Sequence, residues 1–196
     1  MIFESIVITT DVAGNPHVTP FGIKRENSRV IISPFRPSVT LYNVLATKSA
    51  VVNFTDDVRV FAGALTGRKA WQLKPASLVQ GFVLEDVLAH QELMLVDVLE
   101  DNLRPQLIFD IINTINHKPF QGYNRAQAAV IELAVLASRL HMLPVEKIKA
   151  EMQYLQIAID KTASERELEA WSWLIEKIEN YETGIAGNNL ALRELN

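Results

Sequence analysis

Residues 5–24, SIVITTDVAGNPHVTPFGIK, contain two runs rich in β-branched residues, separated by turn residues. Short runs of this kind, bounded by Gly, Asn and Pro, are typical of antiparallel strands. Between them, Gly14 and Asn15 can adopt a positive φ at low cost, which suits a tight turn. Pro20 interrupts the second run and cannot donate to a strand ladder, which indicates a sheet edge or a bulge. The stretch therefore predicts a hairpin that begins an antiparallel sheet or barrel.

The strand pattern continues through the first half of the chain. It recurs in four segments, residues 29–33, 50–55, 82–98 and 107–115. Glu100 to Asn102 predicts the turn between the last two. The apolar positions of residues 34–47 fit one face of a short helix instead. The sheet unit is therefore predicted to extend over residues 1–119.

The second half of the chain has a helical pattern. Asn124 can cap a helix predicted over residues 125–140, which is apolar almost all round and should be buried between other elements. Two amphipathic helices follow, joined by a short link, so we expect them to pair as an antiparallel hairpin. Residues 120–196 are therefore predicted to form a small helical C-terminal subdomain, and the whole chain an α+β fold.

Composition excludes several classes of protein. The 196 residues suffice to bury a core without a disulfide, and the absence of cysteine excludes thiolate zinc sites and cysteine nucleophiles. The net charge of −4 has the wrong sign for non-specific binding to nucleic acid. No apolar run is long enough for a membrane span, and the first residues do not form a signal peptide. We expect a cytoplasmic protein without nucleic-acid or membrane partners.

Motifs for metal or nucleotide binding are also missing. The histidines His17, His90, His117 and His141 lack metal-ligand spacing, so no metal site is expected. Neither a GxGxxG nor a Walker motif occurs, which argues against a Rossmann dinucleotide site and a nucleoside triphosphatase. No side chain stands out as an obligatory acid or base, so the catalytic residues are left unknown.

The strongest functional signal is PFRPSVTLYN, residues 34–43, between the third predicted strand and the following helix. Ser38 and Thr40 lie where that helix begins, so free backbone N–H groups and the positive end of the helix dipole face the same spot as their hydroxyls. Arg36 stands just before them, and Asn43 could add an amide contact. These groups suit a phosphate monoester. They equally fit a plain N-cap at Ser38 with a solvated Arg36, and spacing does not separate the two interpretations.

Four segments together resemble a known family: TTDVAGNPHVTPFGI (9–23), PFRPSVTLYN (34–43), VVNFTDD (51–57) and NRAQAAVIELAVLASRL (124–140). In this order they are similar to an uncharacterised FMN-binding family with a flavin-reductase-like split barrel and a small helical C-terminal part. The resemblance implies an FMN-binding split β-barrel over residues 1–119, followed by the helical subdomain. It also implies a homodimer with one FMN near the subunit interface in each protomer.

The resemblance further implies cofactor contacts in three segments. The loop before the first helix would bind the FMN phosphate, the second strand would lie along the isoalloxazine, and the end of the fourth strand would contact the ribityl chain or the polar edge of the ring. The residues are Phe35, Arg36, Ser38 and Thr40 for the phosphate, with Asn43 beside them; Thr19, Phe21 and Gly22 for the ring; and Thr55 for the ribityl chain. Glycine at position 22 would permit close approach.

The expected function is that of a flavoprotein. It would be a flavin-dependent oxidoreductase that transfers hydride or electrons between a reductant and a small-molecule acceptor. The cofactor would supply that chemistry, which suits a chain without an evident acid or base. Two alternatives on the same fold stay open: a non-catalytic flavin-binding module and a deazaflavin reductase.

Overall fold

The structure, a computed structural model, describes residues 1–68 and 70–194, with side chains up to Gly184. Its elements in chain order are β1 (Ile2–Thr10), β2 (Pro16–Glu26), β3 (Arg29–Ile32), α1 (Val39–Thr47), β4 (Ser49–Phe54), α2 (Arg59–Thr66), β5 (Leu73–Pro75), β6 (Phe82–Leu84), β7 (Ala89–Leu99), β8 (Gln106–Asn116), α3 (Arg125–Ala137), α4 (Val145–Thr162) and α5 (Glu165–Glu194). None of these helices, within the described residues, is apolar over a stretch long enough to cross a bilayer.

The contacts divide the chain into two compact units. The barrel unit consists of Met1–Asp56 and Lys69–Gln121, and the helical unit of Asp57–Arg68 and Gly122–Asn196. The sequence predicts a single boundary at residues 119 and 120, whereas the contacts also place α2 in the helical unit. The reason is burial: Val58 and Ala62 pack into the core of the helical unit.

The barrel unit contains a closed barrel of six antiparallel strands, in the order β1-β2-β3-β8-β7-β4. The predicted hairpin of β1 and β2 is present, with Thr9 opposite His17 and Ile2 opposite Lys24. Its turn contains Gly14 at a φ of 90°. Alternate residues of the strands fill the barrel, since Val7, Val30, Val52, Leu93, Leu107 and Phe109 are all buried in one cluster. The predicted α+β fold with a β-barrel is therefore confirmed.

Strand β2 is paired over most of its length on one side only. It pairs with β1 from Lys24 back to Pro16, but β3 pairs only with Lys24–Glu26. Among the described strands, residues 18–23 therefore have no strand partner on the side away from β1. Pro20 lies in this stretch, so the predicted sheet edge is confirmed. The backbone groups on that side are available to a ligand.

The helical unit has a core of its own, which contains residues from all four of its helices. The predicted burial of α3 is confirmed, because Ala129, Val130 and Leu133 are almost inaccessible to solvent. Helix α3 packs against both α4 and α5. The expected antiparallel pairing of α4 with α5 is also present, because Nε1 of Trp171 donates to Oε1 of Gln156, and Nζ of Lys149 lies 2.9 Å from Oε2 of Glu182 farther from the link.

Candidate functional site

Helix α1 begins at Val39, within the segment that the sequence suggests for phosphate binding. Ser38 is its N-cap, with Oγ accepting a hydrogen bond from the N–H of Leu41 at 3.4 Å. The Ser38 hydroxyl still has its own proton to donate. The first turn contains no acidic residue, and the helical pattern leaves the N–H groups of Val39 and Thr40 without an intrahelical acceptor. An anion here would meet the positive end of the helix dipole with no carboxylate in that turn to oppose it.

Arg36 is engaged by the turn between β7 and β8, residues 100–105. Its Nη2 donates to Oε2 of Glu100 at 2.6 Å, and its Nε donates to the backbone oxygen of Asp101 at 3.2 Å. Its backbone N–H donates to the oxygen of Leu103 at 2.9 Å. The side chain of Arg36 is nevertheless 36% exposed, so solutes can reach the guanidinium. Arg36 is thus a positioned residue and not a freely solvated one.

The β7–β8 turn is itself held in shape. Oδ1 of Asp101 accepts hydrogen bonds from the N–H groups of Leu103 and Arg104, at 2.8 and 2.6 Å. These bonds and the charge of Arg36 hold the pKa of Asp101 below its ordinary value. Arg104 in turn donates from Nε to the oxygen of Ser33 and lies 4.9 Å from the ring centre of Phe35. The turn and the loop that precedes α1 therefore form one fixed surface.

A polar cavity of about 470 Å³ lies on this surface, lined by Arg36, Glu100, Asp101 and Asn102. Its lining combines one guanidinium with two carboxylates and an amide. The guanidinium favours an anionic ligand, whereas the carboxylates oppose one. Whether an anion binds therefore depends on how the contact between Arg36 and Glu100 responds to it.

Two of the predicted phosphate residues are buried. Thr40 is 1% exposed, so its hydroxyl is not presented to solvent and only its backbone N–H faces the start of the helix. Asn43 is also buried, and its Nδ2 donates to Oγ1 of Thr9 at 3.1 Å, which ties α1 to β1. Phe35, Arg36 and Ser38 are accessible to solvent, whereas these two side chains are not. Only Arg36 of the predicted residues lines the polar cavity.

The predicted ring contacts lie on the unpaired part of β2. Lys24 pairs with Ile31, and continuing this register places Ser33, where the loop to α1 begins, beside Gly22. Thr19 and Phe21 therefore lie on the edge of β2 that β3 no longer covers once the chain turns into this loop. At Gly22 a Cβ would lie 2.9 Å from a methyl carbon of Ile2, so a side chain of β1 covers that face. The space on that face of Gly22 is filled by β1, and the close approach of a ligand at Gly22 stays a prediction.

Thr55 lies elsewhere. It follows β4, whose first residue, Ser49, is near the end of α1, and a strand of six residues spans about 20 Å. Phe54 pairs with Ala89 at the start of β7, whereas the β7–β8 turn follows the end of that strand. Within one chain, Thr55 is therefore at the opposite end of the barrel from Arg36.

A buried carboxylate, missed by the sequence analysis, lies on the barrel wall. Glu92 is 0% exposed, and its oxygens accept hydrogen bonds from the N–H groups of Ser77, Leu78 and Val79 and from Nδ2 of Asn113. Burial raises the pKa of Glu92, but these hydrogen bonds more than offset it and leave the pKa below its ordinary value. Glu92 thereby fixes the segment between β5 and β6 to the barrel.

Two histidines that looked scattered in the sequence meet beside Glu92. Nδ1 of His90 lies 2.8 Å from Nε2 of His117, and Nε2 of His90 lies 3.6 Å from Oε1 of Glu92, beyond hydrogen-bond distance. The β7–β8 hairpin makes this contact possible, because His90 pairs with Ile115 and His117 follows two residues later. A hairpin predicted around residues 100–105 could have shown it. The described residues contain no group of three or more acidic or histidine side chains placed to hold a metal ion.

We expect the stability of the protein to fall as the pH drops below 6.5. Burial is the main cause that lowers the pKa of both His90 and His117; the charge of Lys74 lowers both further, and Glu92 and Glu85 partly oppose it. Both histidines thus bind protons more weakly in the folded than in the unfolded chain. Their contribution to the stability of the fold is therefore complete above pH 6.5 and is lost as the pH falls toward their pKa values in the folded protein.

Urea unfolding at pH 7.5 and pH 5.5 measures this effect. The wild-type protein should be less stable at pH 5.5, and the variant His90→Gln should show a smaller difference between the two conditions. Equal pH dependence in the two proteins would contradict the assignment to this histidine pair.

The sequence matches two models of one family. The model described as "Protein of unknown function (DUF447) N-terminal domain" matches residues 3–118, and the model described as "Protein of unknown function (DUF447)" matches residues 124–176. No curated protein sequence matches the chain.

Several solved structures are similar to this one. An FMN-bound protein of the DUF447 family from Methanosarcina mazei superposes with a TM-score of 0.77 at 21% identity, covering 90% of this chain and 94% of that chain. The flavin reductase HpaC, complexed with NADP+, gives 0.52 at 19% identity, covering 61% and 82%. The 2-nitrobenzoate 2-nitroreductase of Pseudomonas fluorescens gives 0.51 at 16%, covering 58% and 64%. These likenesses confirm the flavin-reductase-like split-barrel fold. Because both family models match in order along most of its length, the chain belongs to the DUF447 family.

Proposed function

We propose that this protein is an FMN-binding flavoprotein that holds the cofactor phosphate between Arg36 and the first turn of α1. The observation that carries the proposal is the accessible donor set at this point: the Arg36 guanidinium, the Ser38 hydroxyl and an α-helix N-terminus free of acidic residues. The description of the Methanosarcina mazei relative as FMN-bound supports the choice of FMN.

The residues present suit a phosphate monoester dianion. Arg36 can donate two parallel hydrogen bonds, Ser38 one from its hydroxyl, and the backbone N–H groups of Val39 and Thr40 two more. Phe35 is exposed beside them. Asn43 would act indirectly, since its bond to Thr9 fixes α1 against the barrel.

The rest of the flavin would extend along the unpaired edge of β2. Backbone groups around Thr19 and Phe21 have no strand partner on that side among the described residues, and they could bind the polar edge of a flat ring. Gly22 and Thr55 gain no support as contacts, because β1 covers the glycine and Thr55 lies at the far end of the barrel.

We further propose that the protein is an oxidoreductase. Bound FMN supplies hydride and electron transfer, while this chain binds and orients it and needs no acid or base of its own for that step. A homodimer is proposed with it. In support of a subunit contact near the site, the large apolar side chains Phe35, Val39 and Tyr42 are all exposed around the start of α1.

The test is a titration of the purified chain with FMN, followed by quenching of flavin fluorescence and by the melting temperature. Quenching and a rise in melting temperature are expected, and a lack of both would contradict the proposal. If FMN binds but neither NADH nor NADPH bleaches it, the non-catalytic binding module is favoured. If a deazaflavin binds in place of FMN, the deazaflavin reductase is favoured. Light scattering should give twice the 22.0 kDa of one chain.

A further inference from the structure

Glu100 contacts the guanidinium that the proposed phosphate site requires. We propose that Glu100 is a built-in competitor of the FMN phosphate for Arg36, so that it lowers the affinity for FMN and is displaced when FMN binds. The inference rests on the proposed function and adds an affinity-determining residue to it. It starts from the contact of 2.6 Å between Nη2 of Arg36 and Oε2 of Glu100.

The competition is geometric in the first place. Arginine binds phosphate best through two parallel N–H groups on one edge of its guanidinium. In Arg36 the Nε and Nη2 edge is already occupied, with Nη2 donating to Glu100 and Nε donating to the backbone oxygen of Asp101. A phosphate can take this edge only if the Glu100 carboxylate moves away.

The charges add to the competition. A carboxylate that stays within a few ångströms of a phosphate dianion repels it, and the repulsion grows where water is partly excluded. Glu100 is 71% exposed, and ion pairs of such accessibility contribute little to stability, so its carboxylate can swing into solvent at small cost. The contact is therefore strong enough to reduce the affinity and weak enough to be displaced.

The neighbouring carboxylate, that of Asp101, has a different role. Asp101 uses Oδ1 to accept the N–H groups of Leu103 and Arg104, which keeps the β7–β8 turn in shape. Its contact with Arg36 is made by its backbone oxygen, which a substitution of the side chain does not remove. Glu100 is thus the side chain of this turn whose carboxylate bonds directly to the guanidinium.

The experiment compares FMN affinities of the wild-type protein and Glu100→Gln by calorimetric titration at one salt concentration. The glutamine variant should bind FMN about threefold to tenfold more tightly, in line with loss of one exposed ion pair and of its repulsion. Its affinity for riboflavin, which lacks the phosphate, should not change. The matched control is Glu26→Gln, which removes another exposed, ion-paired glutamate, the partner of Lys24, and should leave the FMN affinity unchanged.

A double variant identifies the residue through which Glu100 acts. In the Arg36→Ala background, Glu100→Gln should give a smaller gain than in the wild-type protein, because competition for the guanidinium is gone and only the charge repulsion is relieved. Unchanged or weaker FMN binding by Glu100→Gln alone would overturn the inference, and so would an equal gain for riboflavin. If Arg36→Ala binds FMN as well as the wild-type protein does, the proposed phosphate site fails instead, whatever Glu100 does.

Discussion

Replacing Glu92 by glutamine should lower the free energy of unfolding by about 2 to 4 kcal/mol, the largest loss of stability we expect from a single isosteric change in the barrel unit. The Glu92 carboxylate is fully buried and bonded only to donors. Glutamine has the same shape but carries an NH2 group in place of one acceptor oxygen. The loss therefore follows from unsatisfied donors and needs no cavity.

The amide cannot satisfy its surroundings in either orientation. If its NH2 group replaces Oε2, it faces the N–H groups of Leu78 and Val79, which lie 2.6 and 3.0 Å from that oxygen. If it replaces Oε1, the amide of Asn113 can turn over to accept from it, but the N–H of Ser77 still loses its acceptor. At least one backbone donor loses its acceptor on the buried carboxylate, and the charge that strengthened the other bonds is gone.

Urea unfolding at pH 7.5 measures this change. The control is Glu151→Gln on the exposed side of α4, where we expect a difference within about 0.5 kcal/mol. Because the folded pKa of Glu92 lies below its ordinary value of 4.5, its contribution is complete above that pH and is lost as the pH falls toward the folded pKa. The difference in free energy of unfolding between the wild-type protein and Glu92→Gln should therefore shrink on acidification. A difference that stays constant down to pH 3 would contradict this role for Glu92.

The sequence could predict those parts of the site that depend on neighbours in the chain. Ser38 as an N-cap, the start of α1 and the edge at Pro20 are local properties, and the structure shows all three. The partners of these groups are distant in sequence: Glu100 is 64 residues from Arg36. The contact exists only because β3 pairs with β8 and β7 with β8 in a specific register, which no local pattern specifies.

Other features of the site also depend on distant partners. The sequence does not show which face of β2 lies against β1, and a side chain of β1 covers one face of Gly22. Thr55 was grouped with Arg36 by resemblance, whereas the direction of β4 carries it to the other end of the barrel. Helix α2 is a short amphipathic helix of eight residues, and only its burial among the other helices assigns it to the helical unit.

Replacing Arg36 by alanine should weaken FMN binding by about 1 to 3 kcal/mol, or about 5-fold to 150-fold in the dissociation constant. Such a range is typical of one lost charge-assisted contact to a phosphate whose other donors remain. The protein itself should lose little stability, since the ion pair with Glu100 is exposed and the backbone bond from Arg36 to Leu103 persists. Fluorescence titration with FMN measures the affinity, and the melting temperature verifies the fold.

Two comparisons separate recognition of the phosphate from a general disturbance of the site. Riboflavin binding should be the same in the wild-type protein and Arg36→Ala, because riboflavin has no phosphate for the guanidinium to bind. The FMN affinity of Arg36→Lys should lie between those of the wild-type protein and Arg36→Ala, since lysine keeps the positive charge but lacks the planar pair of donors. If Arg36→Ala weakens FMN and riboflavin equally, the arginine shapes the loop before α1 and does not bind the phosphate. Equal FMN affinity in all three proteins would place the phosphate elsewhere on the barrel.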